Sequence, residues 1–176
     1  VTNTLFLSGR DALSAMHGEA VRRGYDTTIV NDRFTGEARD VGRDVAEKLH
    51  ESPSKTTLLY AGESTVTLNA GGTSPRRSGL RPREGGRNQE MALSALRDIR
   101  DGELILPFSS DGRDNTDHAG AISDETTRAH ARIHRLSADE HLNSHRSYDF
   151  FTTTGDAVVT GYTGSNVSDL IIALKK

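Results

Sequence analysis

The strongest constraint on the fold is an alternation that fills residues 4–68. Three short apolar or β-branched runs, "TLFLSG" (4–9), "YDTTIVN" (25–31) and "KTTLLYAGESTVTL" (55–68), are separated by two stretches of helical periodicity. In the first stretch Leu13, Met16, Ala20 and Val21 recur at helical spacing until Gly24 stops the pattern. In the second, Ala38, Val41, Val45 and Leu49 share one face. Strand–helix–strand–helix–strand order is joined most simply by crossovers, which lay helices over the faces of a sheet. The alternation therefore predicts an α/β fold of three layers, α/β/α, around a mixed and mostly parallel sheet. Within the third run, Gly62 and Glu63 mark a bend or bulge.

Beyond it, residues 69–84 are rich in Gly, Pro and Arg and show no period. A stretch like this inside a compact domain is either functional or disordered. A helix follows over about 88–100, with Ala92, Leu96 and Ile99 toward the core, and "ELILPFSS" (103–110) is a strand. "DGRDNTDHAGAISDETT" (111–127) reads as a long polar loop, "RAHARIHRL" (128–136) as a short helix and "SADEHL" (137–142) as a capped turn. The end (156–176) is either strand, loop and helix or two strands joined by a Gly/Thr/Asn loop. "LIIAL" is short and β-branched, so its length favours a C-terminal strand, placed antiparallel in the sheet.

With 176 residues the chain is expected to form one domain large enough to bury a core. A net charge of -3 gives no reason to expect nucleic acid or an acidic membrane surface as a partner. The absence of cysteine excludes disulfides, thiolate metal sites and a cysteine nucleophile. No apolar run approaches membrane-spanning length and the start lacks the basic and apolar regions of a signal peptide, so the chain reads as cytoplasmic. It begins with Val, which fits either processing or a piece of a longer protein.

Chemistry concentrates in three places. In "EGGRNQEMALSAL" (84–96), Gly85, Gly86, Arg87 and Asn88 stand at the start of a helix. Free backbone N–H groups, the positive end of the helix dipole and a planar guanidinium suit a phosphate or carboxylate. The alternative is a glycine turn with Arg87 paired to an acid. Asp111, Asp114 and Asp117 share one loop directly after a strand, with Asn115 among them. Hard oxygen donors there suit Mg²⁺, and an Asp-rich turn bonding to its own backbone is the competing account. The spacing is not that of an EF-hand, because the sixth loop position is Thr116 and the twelfth is Ile122. Glu63, beside Gly62, could bind a ligand, pair with Arg87, or simply be solvated at a bulge. "TGYTGSN" (160–166) is a weaker anion-cradle candidate. His130 and His134 lie four apart without the glutamate of a zinc helix, and read as surface residues. Phosphate loops, a kinase-type glycine loop, a nucleophile elbow and a dinucleotide fingerprint are absent from the sequence.

"GGRNQEMAL" (85–93), "SDGRDNTDHAGAISDETT" (110–127) and "TGYTGSNVSDL" (160–170), in this order, resemble the MOFRL domain of the class II glycerate kinases. Members of that family are often called glycerate 2-kinase, and some carry an older hydroxypyruvate reductase label. "GYDTTIVNDRFTGEARDVG" (24–42) and "AGESTVTL" (61–68) resemble the segments leading into that domain, with a MOFRL-like core over about 62–174. The resemblance implies the C-terminal half of a two-domain protein whose substrate cleft is completed by an N-terminal domain that supplies a lysine. It implies ATP-dependent phosphorylation of D-glycerate, or a similar hydroxy acid, to 2-phosphoglycerate with Mg²⁺.

By the same resemblance, Arg87 would neutralise the transferring phosphate or hold the substrate carboxylate. Gly85, Gly86 and Asn88 would give donors, Asp111 and Asp114 would hold Mg²⁺ or orient the hydroxyl, and Glu63 and Glu90 would fix Arg87. Where the family shows an "NDSY"-like segment before "FF", this chain has "SHRSYDFF", so His145 and Arg146 replace an amide and an acid. Two other readings compete: a non-catalytic module binding a nucleotide or organic acid, and a hydroxypyruvate reductase, which lacks the dinucleotide fingerprint. Homo-oligomerisation stays open.

Overall fold

A computed structural model describes residues 7–67 and 85–176; the start of the run at 4–9 and the aperiodic stretch at 69–84 lie outside the described residues. The element order is α1 (Gly9–Arg22), β1 (Asp26–Phe34), α2 (Ala38–Glu51), β2 (Thr56–Gly62), α3 (Arg87–Leu96) and β3 (Glu103–Ser109). It continues with β4 (Gly120–Ala121), β5 (Ser123–Asp124), α4 (Glu125–Ile133), α5 (Ala138–Asn143), α6 (Ser147–Thr154), β6 (Ala157–Val158) and β7 (Asp169–Lys175).

The seven strands form one mixed sheet in the order β1-β2-β7-β3-β4-β6, with β5 also paired to β3. Helices cover both faces. β1, β2 and β3 point the same way, and the C-terminal β7 runs against them, as the sequence predicts. The ladders correct one part of that expectation: β1–β2 is the parallel pair, while β2–β7, β7–β3, β3–β4, β3–β5 and β4–β6 are all antiparallel. The cause is the place taken by β7. Its run from Leu170 to Ile171 and Ala173 is buried, and such a run is most stable at the sheet centre, where it separates β2 from β3.

Alternation along the strands splits the core in two. On one face Leu13 of α1 packs on Leu59, Ala61 and Leu170. On the other, α2 to α6 enclose the larger cluster around Leu49, Met91, Leu93, Ile105, Phe150, Phe151 and Ile171. α3 lies at its centre, with every residue from Asn88 to Leu96 buried. α2 is amphipathic and buries Ala38, Val41, Gly42, Val45, Ala46 and Leu49.

Two local expectations change, and one helix is added. The polar loop at 111–127 contains β4 and β5, and α4 starts at Glu125, where the Asp124 carboxylate accepts from Thr127 N at 2.9 Å. α3 stops at Leu96 rather than near residue 100. The aromatic segment at 147–154 is a helix, α6, ended by Gly155 at φ 80°.

Candidate functional site

The site lies where β2 and β3 end, β7 begins and α3 starts. Asp169 stands in register with both Gly62 and Ser109, so it occupies the middle of this sheet edge. Arg87, the first residue of α3, donates from Nε to Asp169 Oδ2 at 2.5 Å and reaches Glu63 Oε1 from Nη1 at 2.7 Å. The Asp169 side chain is 1% exposed and that of Glu63 69%, so one anchor is rigid and the other faces solvent. Partial burial works against the charge on Arg87. The hydrogen bond to Asp169 and the charges of Asp169, Glu63 and Asp114 outweigh it, and the pKa is raised. Glu63 thus pairs with Arg87 as one of its sequence readings has it. Asp169, inside the quoted "NVSDL", was not singled out.

The anion at the start of α3 belongs to the protein itself. Asp114 is 3% exposed, and its carboxylate accepts from Asn88 N at 3.1 Å and from Gln89 N at 2.8 Å. The side-chain amides of Asn88 and Gln89 add further donors at 3.3 Å. Burial pushes the Asp114 carboxyl up to about 6, against the lowering effect of those Gln89 and Asn88 donors. This corrects two expectations: Asn88 gives its donors to Asp114, and Asp114 caps a helix instead of facing a ligand.

The glycines are explained by contact. A Cβ on Gly86 would lie 2.1 Å from Asp114, and one on Gly85 would lie 1.8 Å from Ser147 Oγ. At Gly62 it would lie 2.2 Å from the Phe34 carbonyl oxygen, so that glycine serves the close β1–β2 approach rather than a ligand. Asp111 follows its bland reading, accepting from Ser109 Oγ at 3.1 Å and from Arg113 N at 2.9 Å. The "TGYTGSN" loop is tied to that same turn through Thr163, whose N–H bonds to Asp111 O and whose Oγ1 donates to Ser110 O, and Val167 just after it bonds to Ser110 Oγ. His130 is paired with Asp156 and His134 is exposed, as surface residues would be.

Glu90 is also reassigned. Its buried carboxylate accepts from Arg39 Nε at 2.6 Å and lies 3.0 Å from His145 Nδ1, rather than fixing Arg87. Glu90 and His145 nevertheless share a pocket of about 590 Å³ with Arg87, Glu63, Gly85 and Asn115. Asp111 and Asp114 do not line it. Among the described residues no group of three or more His, Asp or Glu could hold a metal ion, and Asp114, with both oxygens turned to α3, does not fit as a Mg²⁺ ligand. Ser64, Thr65, Val66, Asn115 and His145 also line the pocket without a role assigned from the sequence, although each lies in a quoted segment. The pocket offers a fixed cation, an exposed carboxylate and an imidazole backed by a buried acid, a set suited to a small molecule bearing a carboxylate and hydroxyls.

An apolar groove lies elsewhere among the described residues. It lies between α1 and the sheet, bordered by Met16, Tyr25, Leu59, Ile172 and Leu174.

The chain is similar to known proteins over nearly its whole length. A glycerate 2-kinase from Pyrococcus horikoshii is 36% identical over 99% of this chain and 39% of its own length. A crystal structure of a Pyrococcus horikoshii protein superposes with a TM-score of 0.85 at 34% identity, covering 100% of this chain and 40% of that one. The crystal structure of a glycerate kinase from Thermotoga maritima gives a TM-score of 0.83 at 30% identity, covering 96% of this chain and 41% of that one. The chain thus spans about two fifths of the length of the relatives it matches. The model of the MOFRL family matches residues 56–169, a segment that holds β2, the whole of α3 with Arg87, the Asp114 cap, His145 and the first residue of β7. By that match, the chain belongs to the MOFRL family.

Proposed function

We propose that this chain is the C-terminal part of a glycerate 2-kinase and supplies one wall of its substrate cleft. The observation that carries the reading is Arg87, held in an open pocket by Asp169 from below and Glu63 from the side. Nε and Nη1 are committed to those acids, while Nη2 has no hydrogen-bond partner among the described residues. A planar fork with a free end suits the carboxylate of D-glycerate, and Glu63 can turn to accept from a substrate hydroxyl. The relatives named as glycerate kinases support this choice of substrate.

On this reading ATP is the phosphoryl donor, and the rest of the polypeptide closes the cleft over it. Mg²⁺, when bound, would offset phosphate charge; Asp114, with both oxygens bonded to α3, does not fit as its ligand, and no step is assigned to Asp111 or Asp114. This chain's contribution is positioning and charge, which is most of what phosphoryl transfer asks of a protein.

The test is a D-glycerate phosphorylation assay on the complete polypeptide. Arg87→Ala is expected to lower kcat/KM about 10²- to 10³-fold. Arg87→Lys should not restore it, because an ammonium lacks the two-sided fork that bridges Asp169 and Glu63. Parent-like kcat/KM in Arg87→Ala would contradict the proposal.

A further inference from the structure

One turn along α3 from Arg87, the same pocket carries an arrangement that the substrate-holding role leaves unused. Glu90 is an acceptor-only side chain, 3% exposed, on the buried helix α3. Its Oε1 accepts from Arg39 Nε at 2.6 Å. Among the described residues its Oε2 has His145 Nδ1, at 3.0 Å, as its hydrogen-bonding neighbour. Arg39 Nη2, which donates one of its two hydrogens to the Leu142 carbonyl at 2.5 Å, lies 3.2 Å from the same ring nitrogen, farther than Glu90 Oε2. A buried carboxylate oxygen left without a donor is costly, so the Nδ1 proton is best placed toward Glu90. The tautomer follows: Nδ1 carries the hydrogen, and Nε2 keeps a lone pair.

His145 lines the pocket with Glu63, Arg87 and Glu90, and its Nε2 has no partner among the described residues. The backbone holds it there in the left-handed region, at φ 52°, with His145 N bonded to Leu142 O. This is the left-handed position that closes α5, where Arg146 N also bonds to the His141 carbonyl, and it fixes where the His145 side chain leaves the backbone.

We infer that His145 takes the proton of the reacting substrate hydroxyl, with Glu90 as the positioning residue that fixes its tautomer and balances the imidazolium. The inference rests on the phosphoryl-transfer reading above. As the hydroxyl oxygen forms its bond to the γ-phosphorus of the nucleoside triphosphate, the bond from that phosphorus to the β,γ-bridging oxygen breaks. The diphosphate leaves with that electron pair, and the hydroxyl proton moves to the lone pair on His145 Nε2. The products are the phosphate ester, the nucleoside diphosphate and an imidazolium facing Glu90. A positioned base of this kind is worth about 10²-fold or more.

The charged groups around the imidazole are Glu90 and Arg39 at Nδ1, Glu63 and Arg87 in the same pocket, and the neighbouring Arg146, which is paired with Asp149. Burial pushes Asp114 up to about 6, so the pH profile is read as a difference between parent and variant, both of which keep Asp114.

The experiment is the pH dependence of D-glycerate phosphorylation by the complete polypeptide, for the parent, His145→Asn and His145→Gln. Asparagine tolerates a left-handed backbone, so the first variant preserves the loop, and the second guards against a local failure of the first. Long-range ¹H–¹⁵N spectra of the imidazole, on the parent and on Glu90→Gln, supply a readout that a merely structural role would not move. The expected result is a fall in kcat of about 10²-fold in both His145 variants, with KM for glycerate within about threefold and the acid limb of the parent profile lost. The spectra should show the parent's proton on Nδ1, with that preference weakened in Glu90→Gln. An active parent whose variants keep its kcat and acid limb overturns this inference and leaves the kinase reading standing. A proton found on Nε2 overturns it as well. A parent that phosphorylates no glycerate overturns both.

Discussion

A methyl group at position 86 would lie 2.1 Å from Asp114, and the Asp114 carboxylate fills the space at the start of α3 that an external anion would need. The helix dipole and free amides were legible in "GGRNQ", and so was their preference for negative charge. What a linear reading could not supply is that residue 114 returns to meet residue 88, because that contact depends on the path of β3 and the loop after it. Asp114 carries a further consequence. Burial raises its pKa from 3.8 to about 6, so between those values the folded state holds a proton that the unfolded chain has released. Stability from this group therefore rises as pH falls through about 6, the reverse of a salt-bridged carboxylate. Urea unfolding should show the parent gaining up to about 3 kcal/mol relative to Asp114→Asn between pH 7 and pH 4. A difference that is flat with pH would contradict the raised value.

At the scale of elements, the long helices and strands were readable because each has one period and one buried face. α2 is the clear case, with its buried positions on the predicted stripe. The short pieces were not. β4, β5 and β6 have two residues each, too few for any period to show, and they exist because β3 and one another supply partners. The position of β7 between β2 and β3 also has no local signal beyond its apolar run, since strand order is a property of the whole sheet. One element contact can be tested alone. A Cβ on Gly42 of α2 would meet the Met91 carbonyl oxygen of α3 at 2.4 Å, so the two helices cross on that glycine. Gly42→Ala gains helix propensity but must push α2 away from α3, and chemical denaturation should show a net loss of about 1–3 kcal/mol. A stabilised variant would mean that the helices are not so closely packed.

For the whole molecule, the sheet is covered unequally. Among the described residues, α2 to α6 bury one face, while α1 packs on the other beside a groove of about 440 Å³ at Met16, Leu59 and Ile172. No helix among the described residues is long and apolar enough to cross a membrane. The polar pocket lies at the opposite kind of surface, at the strand ends, where α/β sheets place ligands. It brings together residues from β7, α3 and the segments after β2 and α5, which no single motif contains. The sequence pointed to Arg87 as its centre, and the structure supplies Asp169 and His145 around it. The central claim is that Arg87 makes this pocket an acid-binding site. The most direct measurement is a calorimetric titration of D-glycerate into the complete polypeptide, parent and Arg87→Ala. The account predicts saturable binding by the parent, weakened at least tenfold in the variant. Equal affinity in the two proteins, or no binding by the parent, would contradict it.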